Sequence, residues 1–174
     1  SSLRGMWVGT FHGIAHRILR AHYEDAGLQR DFQILDSDDQ IRLVKRVILS
    51  LDLDEKKWPA RQATWWINSQ KDEGLRPKNI EHMDDLYLKT HLAIYTAYED
   101  ACLRGGMVDF AELLLRAHEL WLKKPELLEH YQSRFSALLV DEFQDTNSVQ
   151  YAWLRVLAGN NDNLMVVGDD DQSI

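Results

Sequence analysis

One cysteine, Cys102, stands in 174 residues, so no internal disulfide can staple the chain. There is no apolar run of membrane length and no leader pattern at the amino end, and the expectation is a soluble intracellular protein. Basic charge is not in excess either: 20 lysines and arginines stand against 28 acids, a formal charge of -8. That balance argues against coating nucleic acid by bulk electrostatics and leaves such contacts to local basic patches. No Gly-x-Ser-x-Gly elbow suggests serine hydrolysis. His12 and His16 are spaced as a helical pair, but no glutamate sits at position 13 and no third ligand is indicated, so a structural zinc is not expected. The most consequential absence is a Gly-x-x-x-x-Gly-Lys-Ser/Thr phosphate loop. Its backbone donors and lysine hold nucleotide phosphates, so this stretch of chain is not expected to hydrolyse ATP alone.

What is present is 45% apolar residues, enough for a core, and an uneven distribution of acid. Residues 134–174 hold two basic and seven acidic side chains, the other residues 18 and 21. In this acidic stretch the apolar run Ala137-Leu138-Leu139-Val140 delivers Asp141, Glu142 and Asp145 to its own end. As a strand, the run places Asp141 and Glu142 at the carboxyl edge of a sheet, where open α/β sheets bind ligands. In a nucleotide hydrolase, an aspartate there holds magnesium and a neighbouring acid activates water. By itself the pair also fits a buried strand followed by a solvated acidic turn. Beyond it, Asn147 and Gln150 form a capping pair for a helix bearing Tyr151, Leu154 and Leu157. A second short run, Asn163-Leu164-Met165-Val166-Val167-Gly168, also opens onto carboxylates, Asp169-Asp170-Asp171, followed by Gln172 and Ser173. Strand, helix, strand is a parallel crossover, so both acidic ends should emerge on one edge.

Near the amino end, Met6–Thr10 reads as a brief strand and His12–Arg20 as the helix after it. Thr10, Phe11 and His12 sit at the turn, where a hydroxyl and free backbone donors suit a phosphate; a bare helix cap is the alternative. From 13 to 130 the pattern is helical throughout and no sheet is expected. Asp36 opens one helix with Ile41, Val44, Val47 and Ile48 on its apolar face, and Asp54–Trp58 is a turn stopped by Pro59. The next helix carries Trp65 and Trp66, which as neighbours cannot share a face; one reading puts one in the core and leaves the other a partly exposed stacking or interface group, and the alternative is that both serve the core. A long helix over about 86–103 ends at Gly105-Gly106, and Asp109 with Glu112 forms a capping box for the one that follows. Lys71, Arg76 and Lys78 cluster around the Gly74 turn as a patch for duplex phosphates, or as ordinary solvated charge.

The strings Leu-Val-Asp-Glu-Phe-Gln-Asp-Thr at 139–146 and Val-Gly-Asp-Asp-Asp-Gln-Ser-Ile at 167–174 resemble the second and third conserved motifs of superfamily 1 DNA helicases of the UvrD/Rep/PcrA group. Trp7–Gly13 resembles that family's single-strand contact motif, and Gly106–Leu114 the segment before its Asp-Glu motif. The likeness covers essentially the whole chain. It implies an α/β RecA-like motor domain fragment with parallel strands, predominantly α overall, carrying an inserted all-helical subdomain. Residues 1–12 are then the first strand of a split motor domain, 13–130 the insertion, and 131–174 the rest of the motor part. The phosphate loop is implied to lie upstream and a second motor domain downstream.

The resemblance further implies an ATP-dependent 3′–5′ helicase that uses ATP and Mg2+, translocates on single-stranded DNA, unwinds duplex junctions and serves DNA repair with repair-protein partners. Its location is implied to be cytoplasmic and, in use, the bacterial nucleoid. Asp141 becomes the magnesium ligand, Glu142 the general base and Gln172 the reader of the terminal phosphate. Asp169 organises its turn, Gln144 and Asp145 orient adjacent elements, and Thr10 and His12 contact the single strand. Alternatives are a non-catalytic DNA-binding or protein-interaction module, or part of a related helicase-nuclease.

Overall fold

The computed structural model describes residues 6–134, 137–141, 147–158 and 164–167. Three apolar runs form parallel strands in it, β1 (Met6–Thr10), β4 (Ala137–Asp141) and β5 (Leu164–Val167), ordered β1-β4-β5 with β4 in the middle. Parallel neighbours cannot be joined by a tight turn. Accordingly β4 and β5 are linked through a helix, α7 (Ser148–Ala158), and β1 and β4 through the whole helical middle of the chain. The helix after β1 is α1 (Phe11–Ala21).

The chain folds as two compact units, 1–27 with 113–174, and 28–112. In the first, α1 buries Phe11, Ile14, Ala15, Ile18 and Leu19. Helix α5 (Phe110–Lys123) contributes Leu120 and Trp121 to the buried set, and α7 contributes Val149 and Trp153, whose indole meets Phe11 edge-on at 6.3 Å. Helix α6 (Pro125–Arg134) brings Tyr131 within 2.6 Å of His22 Nε2. The capping pair before α7 forms as its sequence indicates: Gln150 N–H donates to Asn147 Oδ1 at 2.8 Å, and Asn147 N–H to Gln150 Oε1 at 3.4 Å.

The second unit is built on α2 (Ser37–Ser50), α3 (Ala60–Asp72) and α4 (Leu86–Gly105). Asp36 Oδ1 accepts from Asp39 N–H at 2.7 Å and starts α2, which buries Leu43, Val44, Val47 and Ile48. Against these pack Ala63, Trp66 and Ile67 of α3 and Ile94, Tyr95 and Tyr98 of α4. Trp66 is 7% exposed and its neighbour Trp65 is 69% exposed, the division that adjacency on a helix demands. At the end of α4, Gly106 takes φ +63 and ψ 42, the left-handed cap that lacks a Cβ penalty.

One expectation is corrected here. The helical middle does contain a sheet: β2 (Gln33–Ile34) and β3 (Met107–Val108) pair in parallel. Gln33 N–H donates to Gly106 O and Leu35 N–H to Val108 O, both at 2.8 Å. Strands of this length present no alternation to read, which is why the pattern of residues 13–130 looks purely helical.

Candidate functional site at the carboxyl edge of the sheet

Strand register aligns the three carboxyl ends. Thr10 is the partner of Asp141, and Asp141 is in turn the partner of Val167, so the three residues form one row across the sheet. At ordinary strand spacing, the Asp141 backbone lies about 4.8 Å from each neighbouring strand. The chain therefore leaves all three strands at one edge, where the acid-rich segments after β4 and β5 begin. Of Asp141 the backbone is described; Glu142, Gln144, Asp145, Asp169 and Gln172 lie outside the described residues.

Thr10 ends β1 and also caps α1. Its backbone is extended (φ -78, ψ 163), and its Oγ1 accepts from Gly13 N–H at 2.9 Å, satisfying one of the helix's unpaired amino-terminal donors. Glycine suits position 13 because a Cβ there would sit 3.1 Å from Thr10 Oγ1. His12 follows on the first turn. Burial depresses its imidazole pKa below the usual value, because desolvation disfavours the charged ring. Further along α1, His16 accepts from Arg20 Nε at 2.9 Å.

The basic patch expected around Gly74 is corrected by its surroundings. Lys71 is 2% exposed, and its Nζ lies 2.7 Å from Asp109 Oδ2 and 2.9 Å from Glu112 Oε1. Arg76, 11% exposed at its side chain, donates to both Glu112 oxygens at 2.8 Å and to Glu99 Oε1 at 2.5 Å. These two cations compensate carboxylates inside the helical unit and are not offered to an external phosphate. Lys78, on the short 3-10 turn Pro77–Asn79, is exposed.

The same network explains what local reading misses at Asp109. Its Oδ1 accepts from Glu112 N–H at 2.7 Å, the cap that the Asp-x-x-Glu spacing foretells. Its Oδ2 accepts from Lys71, from the Tyr98 hydroxyl at 2.5 Å and from Gln40 Nε2 at 3.3 Å. Burial, the largest single influence on Lys71, works against its charge, but Asp109 and Glu112 outweigh burial and hold the ammonium pKa above its ordinary value. Asp72 sits nearby with its carboxyl pushed up to about 6 by burial, then by Asp109 and Glu73. A capping box carries no mark of a second, buried role, because these partners come from distant parts of the sequence. Among the described residues, no group of three or more His, Cys, Asp and Glu is arranged to hold a metal ion, and no helix is long and apolar enough to cross a membrane.

Parallel strands with acid at their shared edge and a helical excursion between the first two define a class: an α/β motor-type domain with a helical insertion. The chain belongs to the UvrD/REP helicase N-terminal domain family, whose model matches residues 1–174. It is 64% identical over 174 residues to DNA helicase II of Escherichia coli K12, covering 100% of this chain and 24% of that protein. To DNA helicase II of Haemophilus influenzae it is 58% identical over 172 residues, covering 99% of this chain and 24% of the relative. To the ATP-dependent DNA helicase PcrA of Bacillus subtilis it is 37% identical over 170 residues, covering 97% of this chain and 23% of the relative. The chain thus spans about a quarter of the length of the relatives it matches.

Proposed function

We propose that this chain supplies the acidic side of the nucleotide site in an ATP-driven motor that moves 3′–5′ along single-stranded DNA and separates duplex during repair. The observation that carries the reading is the row Thr10, Asp141, Val167 at one edge of a parallel sheet. Ligands of open parallel sheets bind beyond that edge, and membership of a helicase family supports a nucleotide there and DNA beside it. No phosphate loop occurs in the 174 residues, so the chain's own share of the site is its acid.

Asp141 is a hard oxygen donor placed by register at the sheet edge, which suits Mg2+. Bound there, the ion would offset charge on the phosphates. Glu142, the next residue, takes the proton from the attacking water, and a carboxylate is a competent base for that step. Gln172 reads the terminal phosphate through its amide, and Asp169 braces the turn after β5. Thr10 and His12 hold the single strand. Thr10 Oγ1 is already engaged as an acceptor, so its hydroxyl proton is left for a phosphate oxygen. Lys78 meets duplex phosphates, while Lys71 and Arg76 act only inside the helical unit. In this reading residues 1–12 and 131–174 belong to the motor part and 13–130 to the insertion, a span that encloses the compact unit 28–112.

The test is Glu142→Gln in a full-length family protein carrying this chain. ATP turnover should fall by roughly 100-fold or more, with nucleotide binding retained. Undiminished turnover would overturn the assigned base. The chain by itself should show no magnesium-dependent ATPase, and turnover proportional to purified chain would contradict the division of labour.

A further inference from the structure

Among the described residues one tryptophan stands mainly in water: Trp65, 69% exposed on α3, the helix that buries Ala63, Trp66 and Ile67 on its other side. Helical spacing places Arg61 and Gln62 one turn before it and Asn68 and Ser69 one turn after. Arg61 and Gln62 are exposed, and the Arg61 side chain makes no hydrogen bond or ion pair among the described residues. Ser69 Oγ donates to Trp65 O at 2.9 Å, and Asn68 Oδ1 is engaged by Gln40 Nε2 at 2.8 Å. None of the four is an acid, and the first turn of α3 contains no acid either. Gln62 Nε2 donates to the Tyr87 hydroxyl at 3.4 Å, which brings a second, 44% exposed ring to this face. Tyr87 is backed in turn by Trp58, with ring centroids 6.0 Å apart.

We infer that this face of α3 is a stacking site for an unpaired base of single-stranded nucleic acid, with Trp65 as the platform and Arg61 as the phosphate contact. The inference rests on the proposed function only for the source of the strand, since separating a duplex produces one. Bases of any kind stack on an exposed aromatic ring, and a guanidinium beside the ring can hold the adjoining phosphate. A tryptophan that anchors a protein partner sits instead within a contiguous apolar patch. Trp65 has a cation, two amides and a hydroxyl as its neighbours on the helix, groups that suit the phosphate and polar edges of an unstacked base. Duplex is the wrong ligand, because its bases already cover one another's faces. The turn before α3 is close to neutral: Lys56 and Lys57 stand against Asp54 and Glu55, and Glu55 is paired with Lys45 at 3.5 Å. Stacking therefore contributes more than bulk charge, in keeping with a chain of formal charge -8. At the Tyr87 end Asp85 caps α4 and Asp84 lies 3.4 Å from Lys89 Nζ, so the phosphates run along the Arg61 side.

The experiment uses the full chain, a fluorescein-labelled oligothymidylate of about 12 nucleotides and an abasic strand of equal length, read by fluorescence anisotropy. The oligothymidylate should bind saturably and the abasic strand at least about fivefold more weakly. Trp65→Ala should weaken the oligothymidylate by roughly 5- to 100-fold, the loss of one stacked base, and leave the abasic strand unchanged. Trp65→Phe keeps a ring and should recover most of that loss. Arg61→Gln should weaken both strands and reduce the salt slope by about 0.7. Matching melting curves for Trp65→Ala and the parent chain separate lost stacking from lost fold. The effect of Trp65→Ala should persist in a Thr10→Val/His12→Ala background, which lacks the single-strand contacts proposed for the motor part. If Thr10→Val/His12→Ala weakens binding and Trp65→Ala does not, the inference fails while the proposed function stands. Absence of saturable binding, or equal binding of the abasic strand, would also overturn it. So would displacement of the oligothymidylate by an acidic peptide whose own affinity depends on Trp65, which would make the face a protein-docking surface.

Discussion

Lys71→Met deletes one charge from the buried network while keeping the length of the side chain. In the folded unit the Lys71 ammonium is 2% exposed and contacts two carboxylates, Asp109 at 2.7 Å and Glu112 at 2.9 Å, whose own side chains are 1% and 6% exposed. Removing one partner of a buried ion pair costs about 3–5 kcal/mol, because the charge left behind stays desolvated. Here the remaining acids keep other donors: Tyr98 and Gln40 on Asp109, and both arms of Arg76 on Glu112. The expectation is therefore the lower part of that range, about 3 kcal/mol. At roughly 2–4 °C per kcal/mol for a chain of this size, the melting temperature should fall by about 6–12 °C. Urea unfolding followed by circular dichroism measures it, with Asp109→Asn and the double variant completing a cycle. The two changes should couple by about 1 kcal/mol or more, since each relieves part of what the other leaves unpaired. Lys45→Met is the control, because the Lys45–Glu55 pair is 3.5 Å apart and largely exposed; its cost should stay below about 0.5 kcal/mol. A Lys71→Met loss under about 1 kcal/mol, or a strictly additive cycle, would refute the claim that these charges brace the helical unit.

Thr10→Val removes the oxygen that accepts from Gly13 N–H while preserving side-chain shape, and should cost about 1 kcal/mol in denaturant unfolding; an unchanged midpoint would remove Thr10 as the cap. Gly106→Ala forces a Cβ into the left-handed region at φ +63 and within 2.6 Å of Gln29 Oε1, and should cost at least about 1–2 kcal/mol by the same measurement. For Asp72 the folded pKa of about 6 lies above the ordinary 3.8. The folded state then binds this proton more tightly, so the contribution of Asp72 is fully favourable below about pH 3.8 and is lost as pH rises through about 6. Asp72→Asn should accordingly melt higher than the parent at pH 8, with the advantage gone at pH 4. Calorimetry at both values decides it, and a difference that ignores pH would rule out Asp72 as its source.

Much of the helical scaffold was legible because its signals are local. The Asp36 and Asn147 caps, the end of the long helix at Gly105-Gly106 and the different exposure of Trp65 and Trp66 depend on residues within a turn or two of one another, and all appear in the structure as read. The β2–β3 pair was not legible, because two-residue strands contain no period. Lys71 and Arg76 misled for a related reason. Their positions beside a glycine turn describe surface charge, whereas their partners Asp109 and Glu112 enter only when the helices pack.

The acidic edge illustrates the division most plainly. Composition and hydrophobic pattern alone determined that two apolar runs end in carboxylates, that a capped helix joins them, and that no phosphate loop accompanies them. Only the tertiary structure decided that β1 pairs beside β4 with Thr10 opposite Asp141, a pairing of residues far apart in the chain. Register is a property of paired backbones, and no single strand contains it. In the helical unit likewise, the sequence determined which residues carry charge, and packing alone decided which of those charges face water and which are held inside against one another.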